Sequence, residues 1–424
     1  MSGMRILFAV HGYKPAFKIG GPILSVSALA ERLVQRGHRV TVVTSNSNQD
    51  EDLDVPLNTP VDVEGVEVRY FRRESPCKRW LPGVSYFSKS LGYLYSPEMA
   101  GYLRQVVPDV DVVHTHMPFV YPTWAAARAA RRFAKPLFYH QRGVLDPERL
   151  KFRSLKKRLY LRLFELPVIR SAHTLVALTE AERESYLALG ATNPCAVLPN
   201  GIDVSAYQQA ADRGFDWQGR LSPSDTVLLF LGRLHPIKGA ECLLRAFLQV
   251  QRQHPCARLV MAGPDEFSLE AKFRKVAREA GIAERVVFTG MLSGAAKHNM
   301  LARADLFCLP SDAEGFSMAV LEALASGTPV LLSPGCHFPE VEAAGVGRVV
   351  AKDSDSIAAA LDQLLQTPAQ LRRMGAAAPE FVRRNYCWET ITDRLVAIYQ
   401  RALQQQRITR HAETKTPVSS QAAA

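Results

Sequence analysis

No run in this 424-residue sequence approaches the roughly 18 apolar residues that cross a bilayer, which argues against a membrane-spanning chain. Met4 to Val10 is too short for a signal-peptide core and runs into His11 and Gly12, so it reads as a first strand and the chain as cytoplasmic. The seven cysteines, at 77, 195, 242, 256, 308, 336 and 387, form no CxxC pair. That fits reduced thiols in a cytoplasmic protein better than a disulfide framework or a zinc site. No GxGxxG follows the first strand, which disfavours a nicotinamide-dependent dehydrogenase. At this length one hydrophobic core stops growing, so two domains are expected.

What the sequence does have is positive charge, +11 in all, much of it between Arg128 and Arg170. A generally basic surface, anionic lipid, nucleic acid or phosphorylated ligands would each account for it. Within that region Arg149 to Phe164 has helical spacing, with leucines at 155, 159 and 163 on one stripe and Lys or Arg elsewhere. Such a helix lies on an anionic membrane or snorkels over its own core. The aromatic stretch from Trp80 to Tyr102 either packs as ordinary helices or presents aromatic faces to an apolar or sugar ligand.

The most informative stretch is Glu314 to Glu322, EGFSMAVLE. Ala304 to Pro310 before it reads as a buried strand. After it, Met318, Leu321, Leu324 and Ala325 fit a short helix, with Ser317 as N-cap and Gly327 then Pro329 as the stop. Projected on an ideal helix, the two carboxylates would stand about 12 Å and about 80° apart. They would not share one atom, but they could hold two ends of an extended ligand, with helix N–H groups facing an anion between them. A nucleotide sugar has that layout. A helix with a solvated carboxylate at each end is the plainer alternative.

Around it the sequence alternates. Strands are expected at Arg5 to Val10, Val40 to Thr44, Val66 to Phe71, Asp109 to His116, Leu137 to His140 and Thr174 to Leu178. Gly20 and Gly21 lie between the first strand and the helix Ile23 to Arg36, where glycine lets backbone N–H groups approach a phosphate or simply lets the chain turn. His114 and His116 share one face of their strand. His114 reads as a core histidine, and His116, at the carboxyl end where open parallel sheets bind ligands, as a functional one. Asp109 and Asp111 spell DxD but sit at a helix-to-strand boundary and are read as boundary residues, not a metal site. Thr179 and Glu182 form a capping box. Ser205 to Asp225 has lost both periods and reads as a linker.

The alternation then restarts, with strands at Thr226 to Leu231, Arg258 to Ala262 and Val286 to Thr289, the last ending at Gly290 and Met291. A long helix including Trp388 is expected within Glu380 to Gln404, followed by disorder. The expected architecture is α/β: two doubly wound parallel-sheet, Rossmann-like domains facing across a cleft. Their bounds are 1–203 and 204–385, with a helix at 386–405 returning to the first domain and a disordered tail at 406–424.

Taken together, the Gly20/Gly21 loop, HTH at 114–116, LPNGID at 198–203, GRLHPIKG at 232–239 and the Glu314/Glu322 pair resemble the retaining glycosyltransferases of family 4, which have the GT-B fold. The match covers nearly the whole chain. QRGVLDP, from Gln141, also resembles a subgroup acting in bacterial surface polysaccharide assembly, such as lipopolysaccharide or exopolysaccharide. The resemblance implies that Arg233 and Lys238 neutralise the donor diphosphate, Glu322 holds the ribose and Glu314 contacts the donor sugar. It further implies that N–H groups of Phe316, Ser317 and Met318 meet sugar and phosphate, with Gly290 and Met291 also on the donor side, and that Gly20 and Gly21 approach the phosphate from the other domain. His116 would hydrogen-bond the sugar, and Arg142 would serve the acceptor side. A fixed guanidinium and ammonium can take the place of a metal at a departing diphosphate, so no metal or cofactor is expected. The implied reaction moves a hexose-type sugar, with retention, from a nucleotide-sugar donor to a glycan or lipid-linked acceptor. The expected partners include an anionic membrane surface met by 149–164 but no nucleic acid. A nucleotide-sugar epimerase on the same fold and a non-catalytic sugar-binding relative are the rivals.

Overall fold

The structure, a computed structural model, describes residues 3–49, 51–74, 95–146, 159–209 and 214–415. The chain divides into two compact units. The first takes in Met1–Leu198 and the chain from Ile391 onward, the second Pro199–Thr390. The first crossing thus falls at Leu198/Pro199, a few residues before the expected 203/204.

The first unit holds β1 (Arg5–Ala9), β2 (Arg39–Ser45), the short pair β3 (Ser47–Asn48) and β4 (Glu51–Asp52), β5 (Pro60–Val63), β6 (Val66–Phe71), β7 (Val112–His116), β8 (Leu137–His140), β9 (Thr174–Ala177) and β10 (Cys195–Val197). Its main sheet has the order β10-β9-β8-β7-β1-β2-β6-β5. Every pairing is parallel except β5 on β6. Strands covered on both faces must be apolar throughout, as Ile6, Leu7, Phe8 and Ala9 of β1 are, all buried. The order reverses between β1 and β7, so the loops leaving these two strands flank a topological switch point. Those loops carry Gly20 and Gly21 on one side and follow His116 on the other.

The second unit holds β11 (Thr226–Leu231), β12 (Ala257–Ala262), β13 (Val286–Gly290), β14 (Leu306–Leu309), β15 (Val330–Leu332) and β16 (Gly347–Val349). All pair in parallel, in the order β13-β12-β11-β14-β15-β16. Its switch point lies between β11 and β14. The loops beyond their carboxyl ends are GRLHPIKG and the stretch leading to Glu314. The core combines Leu229, Phe230, Val260 and Phe307 from the strands with Leu243, Phe247 and Leu361 from the helices Ala240–Val250 and Ser354–Leu365. Side chains of this size contribute about 1.5–3 kcal/mol each when fully buried.

Several expectations are corrected. The stretch read as a linker begins with a helix, Val204–Gln209. Two helices, Pro368–Tyr386 and Trp388–Lys415, meet at Cys387, which is extended and bridges to Ile202, so the expected long helix including Trp388 begins at Trp388 itself. The second runs past the expected end at 405, since no glycine or proline follows before Pro417; the rest of the expected tail lies outside the described residues. In the capping box the Thr179 hydroxyl accepts the Glu182 N–H at 3.2 Å as expected. The Glu182 carboxylate, however, reaches past the cap to the Leu178 N–H at 2.7 Å. Most of the aromatic stretch at 80–102 and most of the basic helix at 149–164 lie outside the described residues. Where description resumes, Leu161–Glu165 is a π-helical turn leading into the helix Leu166–Ser171, not a continuous α-helix. Among the described residues no helix is long and apolar enough to cross a membrane.

Candidate functional site

At the carboxyl end of β11 the chain makes a 3-10 turn, Pro236–Lys238, capped by the His235 ring, whose Nδ1 accepts the Ile237 N–H at 3.1 Å. Gly239 ends the turn in the left-handed region, with φ 73°. The loop beyond β14 is tied to it: the Asp312 N–H and the Ser311 hydroxyl both donate to the Ile237 carbonyl, at 2.7 and 3.1 Å. Across this seam Lys238 Nζ meets both oxygens of Glu314, at 2.7 and 2.8 Å. Glu314 is buried, and its own N–H is held by the Gly335 carbonyl at 2.8 Å. A buried carboxylate needs such a partner.

The helix Met318–Ala325 starts after Glu314, so the ideal-helix projection does not apply: Glu322 is on the helix and Glu314 is in the loop before it. Ser317 stands at the N-cap but makes no side-chain cap bond. Glu322 accepts from Lys297 Nζ at 2.9 Å and from the Tyr207 hydroxyl at 3.0 Å. Burial, reinforced by Glu322, pushes the Tyr207 hydroxyl up, so it remains a donor. Arg233 is not drawn into the Lys238–Glu314 pair. Its Nη1 donates to both oxygens of Glu266, at 2.9 and 3.1 Å, with its side chain 55% exposed. The Phe316 ring packs with Phe338 and Tyr386. Gly290 gives its carbonyl to the Gly263 N–H at 2.8 Å, and Met291 is exposed.

In the first unit, Gly20 has φ 103° and Gly21 opens the helix Gly21–Gln35; a Cβ at either would meet no atom within 4 Å. That leaves room at a helix start where no side chain caps the first N–H groups. His116 is fully buried, and its Nδ1 accepts from Arg142 Nε at 3.1 Å. Arg142, expected on the acceptor side, is itself buried and points a second nitrogen at Ser25 Oγ, also at 3.1 Å. His114, expected as a core residue, bonds the Tyr399 hydroxyl at 2.6 Å. His140 pairs with His116 across β7 and β8. Burial first, and then charged neighbours including Arg142, hold His114, His116 and His140 well below the usual imidazole range. Among the described residues these three histidines are also the group that could hold a metal, with ligand nitrogens within 4.8 Å of one another. Asp111 accepts the Arg5 N–H at 2.7 Å, tying β7 to β1.

Sequence reasoning missed Tyr207, Lys297 and Glu266. Tyr207 lay in the supposed linker, and an isolated lysine or glutamate in a surface helix or loop carries no signal of a partner far along the chain.

Comparison with known proteins identifies the family. The family described as "Glycosyl transferase 4-like domain" matches residues 20–201, and "Glycosyl transferases group 1" matches 214–381. A D-inositol 3-phosphate glycosyltransferase of Actinosynnema mirum is 30% identical over 387 residues, covering 82% of this chain and 91% of the relative. Among solved structures, the sucrose-phosphate synthase of Thermosynechococcus elongatus superposes with a TM-score of 0.71 at 20% identity, covering 95% of this chain and all (100%) of that one. Anabaena HepE in complex with UDP and glucose superposes with 0.66 at 18%, covering 94% and 99%. The chain therefore belongs to the family 4 glycosyltransferases of the GT-B fold.

Proposed function

We propose that this glycosyltransferase moves a hexose-type sugar, with retention of anomeric configuration, from a nucleoside diphosphate donor to a glycan or lipid-linked acceptor in polysaccharide or glycolipid assembly. The observation that carries this is the Lys238–Glu314 pair at the β11/β14 switch point, with Glu322 one helical segment further on. In this reading Lys238 and Arg233 meet the charge that develops on the departing diphosphate, without a metal. Arg233 is available for that task, because an exposed pair like the one with Glu266 is worth at most about 1 kcal/mol. Glu322, already an acceptor for Tyr207 and Lys297, takes the ribose hydroxyls, and Glu314 the sugar. The N–H groups of Phe316, Ser317 and Met318 serve sugar and phosphate, with Gly290 and Met291 alongside. Gly20 and Gly21 leave open space for a phosphate, and His116 serves the sugar near its reacting carbon.

The acceptor oxygen attacks the anomeric carbon from the face the phosphate leaves. The carbon–phosphate-oxygen bond breaks, and the acceptor proton passes to the departing phosphate oxygen. A thermal-shift screen of uridine, guanosine and adenosine diphosphate sugars is expected to select one base. Product formation with that donor should release nucleoside diphosphate only when an acceptor is present, and should survive a chelator. Donor consumption without acceptor would instead mean epimerisation or hydrolysis.

The acceptor side is proposed to meet an anionic membrane from the cytoplasmic side. Leu163 and Phe164 are exposed beside Arg128 and Arg131, Leu159 is exposed one turn earlier, and Arg128 lies over the Trp124 ring. Apolar side chains set among cations suit an interface with acidic lipid. In liposome sedimentation, binding should require anionic lipid and weaken with salt; equal binding to neutral vesicles would count against it.

A further inference from the structure

We propose that Arg142 is a positioning residue: it holds His116 as the tautomer protonated on Nε2, which makes His116 a hydrogen-bond donor and not a general base. A guanidinium donates and cannot accept, so the 3.1 Å contact from Arg142 Nε requires a lone pair on His116 Nδ1. The proton of the neutral ring then sits on Nε2. Among the described residues that buried Nε2 meets no acceptor. A buried donor without a protein partner calls for a ligand or a water to meet it. On the reading of the previous subsection, that ligand is an oxygen of the sugar or the acceptor.

The guanidinium is fixed at both ends of its reach. Its Nη1 donates to Ser25 Oγ, and that hydroxyl donates onward to the Pro22 carbonyl at 3.2 Å. Ser25 and Pro22 are on the helix that starts at Gly21, so Arg142 ties the His116 ring to the same segment that offers the glycine opening. The backbone supports this at a cost. Arg142 has φ 52°, a left-handed conformation uncommon for a residue with a side chain, and Gly143 follows at 75°.

The surroundings oppose a second proton on His116. His11 from the loop after β1, His114 from the same strand and His140 from β8 face it, and Tyr399 adjoins His114. Among the described residues, Glu182 and the Tyr399 hydroxyl are the groups whose fields favour the charged Arg142. Burial and Arg142 hold His11 down at about 4. With Arg142 in contact, a charged His116 would put two cations side by side away from water.

A metal on the three histidines is the competing use of the same cluster. It would need the Nε2 lone pair of His116 while Nδ1 is already occupied by Arg142. That requires a ring with no proton at all beside a buried guanidinium, and the position is unfavourable for a dication.

The test uses the full chain carrying 15N-histidine, with the His116 signal assigned by its loss in His116→Gln. In the wild type, long-range 1H–15N correlation should give the Nε2–H tautomer unchanged from about pH 6 to 8. In Arg142→Ala the ring should exchange between tautomers. The kcat for transfer should fall by roughly 10- to 100-fold, the scale of losing an outer partner of a working histidine, with donor KM little changed. Arg142→Gln, whose amide can still donate to Nδ1, should restore the tautomer and part of kcat. A wild-type ring protonated on Nδ1, a doubly protonated ring, or stoichiometric zinc in the purified protein would overturn the proposal, and none of these readings depends on an Arg142 variant folding. So would an Arg142→Ala ring that keeps its tautomer. A fixed tautomer that is lost in Arg142→Ala, in a protein that turns over no nucleotide sugar, would support the positioning role and overturn the transfer reading instead.

Discussion

Glu314→Ala and Lys238→Ala are each expected to lower kcat for sugar transfer at least about 100-fold, the scale of removing one group that meets charge in the transition state. The two side chains are each other's partners at 2.7 and 2.8 Å, so either truncation also strands the other. Glu314 is 6% exposed and Lys238 17%, which leaves solvent little room to compensate. An unpaired group in that position costs about 1–3 kcal/mol of stability. At about 2–4 °C per kcal/mol for units of this size, the alanine variants should melt several degrees lower. Loss of activity in them would therefore mix two effects. Glu314→Gln separates them, because its amide oxygen still accepts from Lys238 while the negative charge is gone. Its melting temperature should stay near that of the parent, and its kcat should still fall by about two orders of magnitude. Near-normal turnover in Glu314→Gln, measured at saturating donor, would remove Glu314's carboxylate from the mechanism.

Much of the second unit's geometry was legible because its chemistry sits where the strand pattern is strongest. Residues 227–231 are an unbroken apolar run, as a strand covered on both faces must be, and GRLHPIKG begins where the run ends. Gly327 as the stop of the helix after Glu314 was legible too, since it takes φ 81° where other residues would be strained. The edge strand Pro60–Val63 was not, because it alternates exposed and half-buried residues and opens on a proline. Nor were the partners of the acidic groups. Tyr207 and Lys297 reach Glu322 from 115 and 25 residues away, and Arg233 meets Glu266 across 33. Periodicity reports which face a residue takes on its own element, and says nothing of which loop from another strand folds over it. Arg142 shows the same limit: nothing in the sequence pattern pointed to its contacts with His116 and Ser25.

Gly239→Ala is expected to be strongly disruptive for a single added methyl. Gly239 has φ 73° and ψ 18°, a conformation that costs a residue with a Cβ about 1–2 kcal/mol. The added Cβ would also lie 1.9 Å from the Pro310 carbonyl oxygen, with the Lys352 side chain 3.1 Å away on another side. Lys352 can swing aside, but the Pro310 carbonyl is backbone at the end of β14 and cannot yield without moving the loop that carries Glu314. Either that loop shifts, or the turn carrying Lys238 does, and the 2.7 Å pair opens in both cases. We therefore expect a loss of about 3 kcal/mol or more, which corresponds to a melting temperature lower by roughly 6–12 °C. Donor binding should weaken at least about tenfold in the same variant, because the pair's geometry is what the added methyl disturbs. Gly290→Ala is the matched control. Its φ of 65° imposes the same kind of strain, but its Cβ would meet nothing within 4 Å. It should cost about 1–2 kcal/mol and no more. The difference between the two variants then isolates the close approach of the β11 and β14 loops, and equal melting temperatures would show that no such close approach exists.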